Sequence, residues 1–289
     1  PSIAGLMTSG KVRGLAVTSY EEMRTVARRA EELGFNSAWL CDHFLTLAPE
    51  SYAKEAGVHK SAPASLSSAA SSTPAKRSMP LLECWTTLSA LSRDVRRLRL
   101  GTSVLCNSYR YPSVLAKMAA TLDVISEGRL ELGLGAGWFK EEYEAYGIPF
   151  PKTSLRIAQL DEALEVIRRM WTESHPTFNG THYSVNGAIC DPPPLQKPSP
   201  PIWIGGEGDK VHRVAARAAT GFNVRWWPPE RFVERRQYLE AVCREYGRDP
   251  STLKSSLTAL LIVSRDPATV EATRGRFMAI PSAGIIAGT

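Results

Sequence analysis

Residues 200–210 read Pro-Pro-Ile-Trp-Ile-Gly-Gly-Glu-Gly-Asp-Lys. The apolar Ile-Trp-Ile run at 202–204 is typical of a short buried strand. Gly205 and Gly206 follow it, and because they lack a Cβ the backbone there can turn and approach a ligand closely. The alanine-rich run after this stretch favours a helix, for which Asp209 is the expected N-cap. A strand, two glycines and a helix start present several free N–H groups, which favours phosphate binding over an ordinary turn.

Strands and helices alternate from about residue 20 to the end of the chain. The predicted strands lie at 37–41, 98–105, 130–135, 202–204, 221–224 and 257–263, after a doubtful strand near the N-terminus. The predicted helices lie at 20–33, 81–92, 112–125, 139–146, 155–171, 210–219, 229–246 and 267–278. Such alternation indicates parallel strands joined by helical crossovers. We therefore predict an α/β fold of the (β/α)8 TIM-barrel type, with an open doubly wound sheet as the rival architecture.

The length of the chain fits one large domain. A single barrel domain spanning 1–289 would use most of the residues. The Ser/Ala-rich segment at about 46–79 predicts a flexible insertion. A long loop after a barrel strand lies over the active-site mouth, so this insertion would act as a lid. An insertion without a function is an equal alternative.

Composition limits the classes of function. Hydrophobic residues make up 43% and charged residues 22% of the chain, which is typical of a soluble globular protein. There is neither an apolar run of the roughly 20 residues that a membrane span needs nor a visible secretory signal. The five scattered cysteines include no C-x-x-C pair, which predicts reduced thiols and a cytoplasmic location. The net charge of +6 permits an acidic ligand, but no basic cluster is interleaved with aromatics, so no nucleic-acid or membrane partner is predicted.

In a parallel α/β protein, ligands lie at the carboxyl ends of the strands. The first informative end carries Asp42 and His43. A histidine just beyond a strand can act as a general acid or base near neutral pH, and an adjacent carboxylate can bias its protonation. A loop histidine that is bonded only locally would show the same pattern, and the dipeptide alone favours that interpretation.

Two further strand ends are rich in small residues. Residues 101–107 (Gly-Thr-Ser-Val-Leu-Cys-Asn) leave room for a flat ligand, although tight packing of the strand on a helix explains the same composition. Residues 133–138 (Gly-Leu-Gly-Ala-Gly-Trp) allow close approach of a ligand or a helix. Lys140 stands where the dinucleotide-binding pattern needs a third glycine, so that pattern is excluded. The histidines show no metal-ligand spacing, and no metal site is predicted.

Taken together, these stretches resemble the luciferase-like flavin and deazaflavin oxidoreductases. The residues that carry the resemblance are 30–44 (AEELGFNSAWLCDHF), 98–104 (LRLGTSV), 128–138 (GRLELGLGAGW), 141–148 (EEYEAYGI) and 200–206 (PPIWIGG). They occur in collinear order over most of residues 20–265. Each motif is modest, but their order and spacing together are fairly specific.

The resemblance implies a (β/α)8 barrel that carries coenzyme F420, a deazaflavin, or FMN at its C-terminal mouth. It assigns the cofactor phosphate to Gly205 and Gly206. It assigns the turn beside the cofactor ring to Ala136 and Gly137. The segments at 101–105 and 42–44 are more similar to the deazaflavin branch, which makes coenzyme F420 the expected cofactor and FMN the alternative.

The resemblance also implies how the ring edge is arranged. Ser103 and Val104 fall where deazaflavin members carry a non-prolyl cis peptide beneath the ring. His43 matches the histidine that lies near the reactive ring edge and passes a proton to or from substrate. We therefore expect His43 to be catalytic, with Asp42, Ser103 and Val104 among the cofactor contacts.

The activity that the resemblance implies is hydride transfer between coenzyme F420 and a small organic substrate. An FMN-dependent monooxygenase that uses O2, and a non-catalytic cofactor-binding protein, remain as alternatives. Trp138 stands where the sugar-phosphate dehydrogenases of the deazaflavin branch place a catalytic Glu, which argues against a glucose 6-phosphate dehydrogenase. Members of the family are often dimers, so a homodimer is expected. The family continues with another helix and strand after a segment like 285–289, so we expect an incomplete barrel, with the N-terminal strand also in doubt.

These assignments give one geometric prediction. If the phosphate lies at Gly205–Gly206, the ring lies over Ser103–Val104 and His43 lies at its edge. The strand ends that carry these residues must then meet at one mouth of the barrel.

Overall fold

A computed structural model describes residues 2–4, 19–45, 80–225, 228–258, 260–277 and 285–288. The predicted insertion at 46–79 lies outside the described residues, so its role as a lid stays a prediction. Within the described segments, none of the helices combines the length and the apolar content that a membrane crossing requires.

The elements alternate along the chain as the sequence predicts. The strands are β1 (Ser2–Ala4), β2 (Ser37–Leu40), β3 (Arg99–Thr102), β4 (Leu105–Cys106), β5 (Leu130–Gly135), β6 (Thr177–Asn179), β7 (Ser184–Asn186), β8 (Ile202–Gly205), β9 (Gly221–Arg225), β10 (Lys254–Thr258), β11 (Leu260–Val263) and β12 (Ile285–Gly288). The helices are α1 (Tyr20–Glu32), α2 (Cys84–Asp94), α3 (Pro112–Ile125), α4 (Lys140–Ala145), α5 (Thr153–Thr172), α6 (Asp209–Ala218), α7 (Pro229–Glu245) and α8 (Pro267–Phe277).

The main sheet is parallel and follows the chain order β1-β2-β3-β5-β8-β9-β10, with β4 paired to β5. This order is that of a barrel wall, in which each strand lies beside the next along the chain. Among the described residues the sheet is open, because β1 and β10 form its two ends, while β11 and β12 pair separately. The α/β barrel-type prediction is therefore confirmed as an open, partial barrel. Strands β6 and β7 form a small antiparallel hairpin.

Two tryptophans fill the interior of the curved sheet. Trp39 and Trp203 meet edge to face, with ring centroids 5.7 Å apart and planes at 86°. Adjacent strands make room with glycine, since an added Cβ at Gly101 would overlap the Trp39 ring and one at Gly221 would lie 2.5 Å from the Trp203 ring. Trp203 Nε1 donates to the Glu131 carboxylate at 2.6 Å, which satisfies the indole N–H inside the barrel. The filled interior leaves the carboxyl ends of the strands as the place where a ligand can enter.

Local capping confirms some predictions and corrects others. Ser19 caps α1 by accepting from the Glu22 amide, as expected. Asp209 is not the N-cap of α6: Gly208 takes that position and Asp209 is the first helical residue. The carboxylate of Asp209 instead pairs with Arg235 of α7. An acidic side chain in the first turn still complements the helix dipole, so the residue type fits although the predicted bond is wrong.

Two predicted strands are divided. The strand predicted at 98–105 is divided into β3 and β4, which lie on either side of the cis Ser103–Val104 peptide bond. The strand predicted at 257–263 is two strands, of which β10 pairs with β9 and β11 pairs with β12. The doubtful N-terminal strand is present as β1, whose register partners begin at Ser37.

Candidate active site

His43 lies just beyond β2, at the carboxyl edge of the sheet. Its ring meets Trp138 edge to face at 5.8 Å between centroids and Phe139 at 6.0 Å. Both aromatics belong to the turn that follows β5, so the ends of β2 and β5 meet at this histidine. The His43 side chain keeps 17% of its surface exposed, which leaves it accessible from the mouth.

Glu142 of α4 fixes the orientation of His43. The carboxylate is fully buried and lies 3.0 Å from His43 Nδ1. It also accepts from the Phe44 amide at 2.7 Å, the Leu45 amide at 3.0 Å and the Tyr109 hydroxyl at 2.8 Å. A carboxylate only accepts, so Nδ1 carries the hydrogen and Nε2 is the lone-pair nitrogen of the neutral ring.

The buried Glu142 side chain stays ionised. Burial alone raises the pKa of a carboxyl group, but the hydrogen bonds from His43, the Leu45 amide and the Tyr109 hydroxyl outweigh it and lower the pKa of Glu142 below its ordinary value. The Glu142 carboxylate therefore accepts hydrogen bonds from all three residues of the segment 43–45. Glu142 lies in a stretch that resembles the family, at 141–148, but the sequence analysis assigned it no function.

The carboxylate of Asp42 serves a structural ion pair. It accepts from both terminal nitrogens of Arg110, at 2.8 and 3.0 Å, and from the Cys106 amide at 3.0 Å. The Asp42 side chain is fully buried. It joins the end of β2 to the end of β4, and a cofactor contact by Asp42 stays a prediction.

Ser103 and Val104 form the non-prolyl cis peptide that the family resemblance implies. The Val104 side chain packs into a gap between two strand ends. An added Cβ would lie 2.8 Å from Val104 Cγ2 at Gly135, and 2.8 Å from both Val104 methyl carbons at Gly205. The two glycines therefore allow the side chain to enter, and the start of β4 meets the ends of β5 and β8 there.

The turn at Ala136 and Gly137 packs on α4. Gly137 has φ +77°, and a Cβ there would overlap the Tyr143 hydroxyl. That hydroxyl lies 2.9 Å from Cys106 Sγ and 3.4 Å from the Ala136 carbonyl oxygen, to which it donates. Tyr143 and Glu142 are neighbours on α4. Tyr143 contacts the loop at Ala136–Gly137, and Glu142 bonds to His43, so α4 fixes both.

The Gly205–Gly206 turn is held by a buried histidine of α6. His212 Nε2 donates to the Gly206 carbonyl at 3.0 Å, and burial lowers the pKa of His212, so the ring is neutral. Gly206 has φ +144°, a conformation that side chains other than glycine rarely adopt. The N-cap Gly208 provides no side-chain hydrogen bond to the first turn of α6. The first turn of α6 therefore offers backbone N–H groups to an anion, whereas the Gly206 N–H donates to the Asn223 carbonyl at 3.4 Å.

Acidic residues near this helix start are paired with arginines of α7. Glu207 lies 3.5 Å from Arg231, and Asp209 pairs with Arg235. These pairs reduce the negative charge beside the anion-binding turn. The sequence analysis gave His212 no role, because the histidines lack the spacing of metal ligands. Its position six residues after Gly206, at a strand end, is the pattern that could have indicated its bond to the turn.

The strand ends that carry the predicted site residues thus meet at one edge of the sheet. Asp42 connects to Cys106, Val104 contacts Gly205, and Gly137 lies beside Cys106. The geometric prediction of a single mouth is confirmed. What each residue does toward a cofactor stays a prediction.

The sequence profile of the luciferase-like monooxygenase family matches residues 4–284. An F420-dependent glucose-6-phosphate dehydrogenase of Amycolatopsis mediterranei (strain U-32) is 34% identical over 198 residues, which cover 68% of this chain and 50% of that protein. A phthiodiolone/phenolphthiodiolone dimycocerosates ketoreductase of Mycobacterium tuberculosis (strain CDC 1551 / Oshkosh) is 31% identical over 257 residues, which cover 86% of this chain and 62% of that protein. The chain therefore spans about half the length of the first of these relatives.

Solved structures share the fold. An F420-dependent secondary alcohol dehydrogenase in complex with an F420-acetone adduct aligns with a TM-score of 0.70 at 22% identity, over 91% of this chain and 72% of that chain. The monooxygenase RslO1 from Streptomyces bottropensis aligns with a TM-score of 0.69 at 23% identity, over 91% and 72% of the two chains. At these identities the likeness concerns the barrel fold alone.

Proposed function

Because the chain belongs to the luciferase-like monooxygenase family, we propose that it is an oxidoreductase that transfers a hydride between coenzyme F420 and a small organic substrate. The F420-dependent dehydrogenase at 34% identity supports this choice of cofactor. The observation that carries the proposal is the His43–Glu142 bond, which leaves one histidine nitrogen for proton exchange at the mouth.

The residues present fit a flat cofactor with a phosphate. Glycines at the ends of β5 and β8 leave the space that the Val104 side chain occupies, at the position predicted for the cofactor ring. The first turn of α6 supplies N–H groups for the phosphate beside the Gly205–Gly206 turn, and His212 holds that turn in place. Ala136 and Gly137 directly precede Trp138, whose ring lies 5.8 Å from the His43 ring.

When bound, coenzyme F420 supplies the two-electron hydride chemistry of its deazaflavin ring. The chain supplies binding, orientation and proton transfer. His43 Nε2 accepts the hydroxyl proton of a substrate that is oxidised, or returns a proton to the oxygen of one that is reduced. Glu142 stabilises the imidazolium that forms, since its carboxylate stays ionised and within hydrogen-bond reach of Nδ1.

The His43→Ala variant tests this role. Coenzyme F420 affinity, measured by quenching of its fluorescence, should stay within about threefold, while turnover falls by about 10²–10⁴-fold as expected for loss of a general acid or base. Turnover would be followed as loss of the oxidised deazaflavin absorbance with secondary alcohols and sugar phosphates. Wild-type protein that binds F420 without any turnover would instead indicate a non-catalytic binding protein. Oxygen consumption with reduced FMN and no F420 activity would indicate a monooxygenase.

We also propose that the protein works as a homodimer in the reducing cytoplasm. All five cysteines are free thiols, four of them buried, which supports a compartment where disulfides do not form. The dimer rests on the family resemblance. Sedimentation of the purified chain would test it, and a monomer at micromolar concentration would contradict it.

A further inference from the structure

We propose that Tyr109 is a positioning residue for His43. Its hydroxyl shares one oxygen of the Glu142 carboxylate with His43, and it thereby sets the pH at which the His43 ring loses its proton and can act as a base. The consequence for turnover rests on the proposed function, whereas the effect on the protonation of His43 needs no cofactor.

The two groups bind the same carboxylate oxygen. The Tyr109 hydroxyl donates to Glu142 Oε2 at 2.8 Å, and His43 Nδ1 lies 3.0 Å from that atom. The other oxygen, Oε1, accepts from the Phe44 and Leu45 amides. Each donor draws the negative charge of Oε2 toward itself, so the phenol leaves less of that charge for the imidazole. A nearby carboxylate favours the charged form of a histidine, and Tyr109 therefore weakens that preference.

Packing holds the Tyr109 hydroxyl in this position. The residue ends a short 3₁₀ helix (Asn107–Tyr109) that follows β4. Its ring stacks on Phe44 with centroids 4.6 Å apart and planes at 28°, and it meets the Tyr143 ring at 5.3 Å. Because Phe44 directly follows His43, this stack joins the phenol to the chain segment that carries the histidine.

The phenol is a donor throughout the working pH range. Burial raises the pKa of Tyr109, so the hydroxyl keeps its proton. The hydrogen bonds of Glu142 lower the pKa of its carboxyl group, so the carboxylate stays an acceptor. The Glu142 side chain has no exposed surface, and solvent therefore screens its interactions with Tyr109 and His43 only weakly.

The other ionisable groups around His43 bind partners other than Glu142. They are Asp42, Glu83, Arg110, Cys106, Tyr143 and Arg225. Arg110 bridges the two carboxylates of this set. The Tyr143 hydroxyl lies 2.9 Å from Cys106 Sγ, and burial raises the pKa of that thiol to about 11, so the thiol is neutral. The Arg225 guanidinium lies over the Trp138 ring. A change at the Tyr109 hydroxyl leaves these contacts in place.

The Tyr109→Phe variant tests the proposal, because it keeps the stacked ring and removes only the hydroxyl. The titration of the His43 ring is followed by NMR in histidine-labelled protein without cofactor, and the signal is assigned by its loss in His43→Gln. The chain has five histidines, so the spectrum is simple. The titration midpoint should rise by about half a pH unit, a fraction of what a full charge-assisted hydrogen bond contributes. A monofluorinated tyrosine at position 109 is a stronger donor and should lower the midpoint.

The matched control is Tyr146→Phe. The Tyr146 ring meets the same Phe44 ring at 4.5 Å, but Tyr146 is exposed. Its midpoint should equal that of the wild type. An unchanged midpoint in Tyr109→Phe, or an equal rise in both variants, would overturn the proposal. If Tyr109→Phe does not fold, the fluorinated protein decides, and a midpoint that does not fall overturns the proposal.

The pH dependence of turnover separates this proposal from the proposed function. For oxidation of an alcohol with coenzyme F420, the acidic limb of the kcat/KM profile should move upward in Tyr109→Phe by the same amount as the NMR midpoint. An acidic limb that stays in place while the NMR midpoint moves would overturn the link between Tyr109 and the reaction. If the midpoint moves and the wild type shows no turnover with coenzyme F420, the positioning of His43 stands and the proposed function fails.

Discussion

Replacing Glu142 by glutamine would reverse the hydrogen-bond roles of His43. The amides of Phe44 and Leu45 both donate to the same carboxylate oxygen, Oε1, so the oxygen of a glutamine can keep them. The new NH2 group then replaces Oε2, which accepts from His43 and Tyr109 in the wild type. An NH2 group donates, so Nδ1 becomes the acceptor and the neutral ring carries its hydrogen on Nε2. The lone pair at the mouth is lost.

The expected loss of activity follows from the strength of a hydrogen bond to a charged group. A hydrogen bond to a charged group contributes about 1.5–3 kcal/mol, and about 1.4 kcal/mol is tenfold in rate. The Glu142→Gln variant should therefore lose about 10- to 150-fold in kcat/KM, carried by kcat. The dissociation constant for coenzyme F420 should change less than about threefold, because Glu142 is fully buried behind His43.

The assay is steady-state turnover at saturating F420, followed by loss of the oxidised deazaflavin absorbance. Glu144→Gln is the matched control, since Glu144 lies on the same helix but is exposed and pairs with Lys140 at the surface. It should behave like the wild type. A Glu142→Gln variant with wild-type kcat would refute the positioning role, as would an equal loss in Glu144→Gln.

Three other outcomes are expected. Gly206→Ala should destabilise the fold by about 1–3 kcal/mol, because φ is +144° and the Cβ would lie 2.7 Å from Val211 Cγ1, while Gly208→Ala, whose Cβ meets nothing within 4 Å, should melt like the wild type. Saturating F420 should slow iodoacetamide alkylation of Cys41 at least fivefold, as peptide mapping would show, and equal rates with and without F420 would contradict the cofactor position. The pKa of Glu142 is lowered on folding, so its contribution to stability is present above the ordinary value of 4.5 and is lost as pH falls through the folded value. The gap in unfolding free energy between wild type and Glu142→Gln should therefore narrow on acidification, and a constant gap from pH 7 to pH 3 would contradict it.

The barrel wall was readable from the sequence because its strands and helices alternate and its glycines stand at strand ends. Apolar runs such as 202–204 predicted the strands, and Ser19 predicted the start of α1. The break inside 98–105 was accessible only through the family resemblance, since no local propensity of Ser103 or Val104 marks a cis peptide.

The partners of the site residues could not be read from the sequence. Glu142 reaches His43 from 99 positions away, and many glutamates show the same local pattern. Asp42 pairs with Arg110 across 68 positions, and no local pattern around Asp42 indicates this buried ion pair. Asp209 shows the opposite limit: its residue type suits a helix start, but the backbone places Gly208 at the N-cap. Such choices depend on packing between elements that are distant in sequence.

Competition between two cofactors tests the central claim most directly. The mouth formed by Gly205–Gly206, Ser103–Val104 and His43 is proposed to hold coenzyme F420 in preference to FMN. Equilibrium titration of the purified chain with each cofactor, monitored by fluorescence under the same buffer and salt, gives the two dissociation constants. The account predicts that F420 binds at least tenfold more tightly than FMN, and tighter binding of FMN would contradict it.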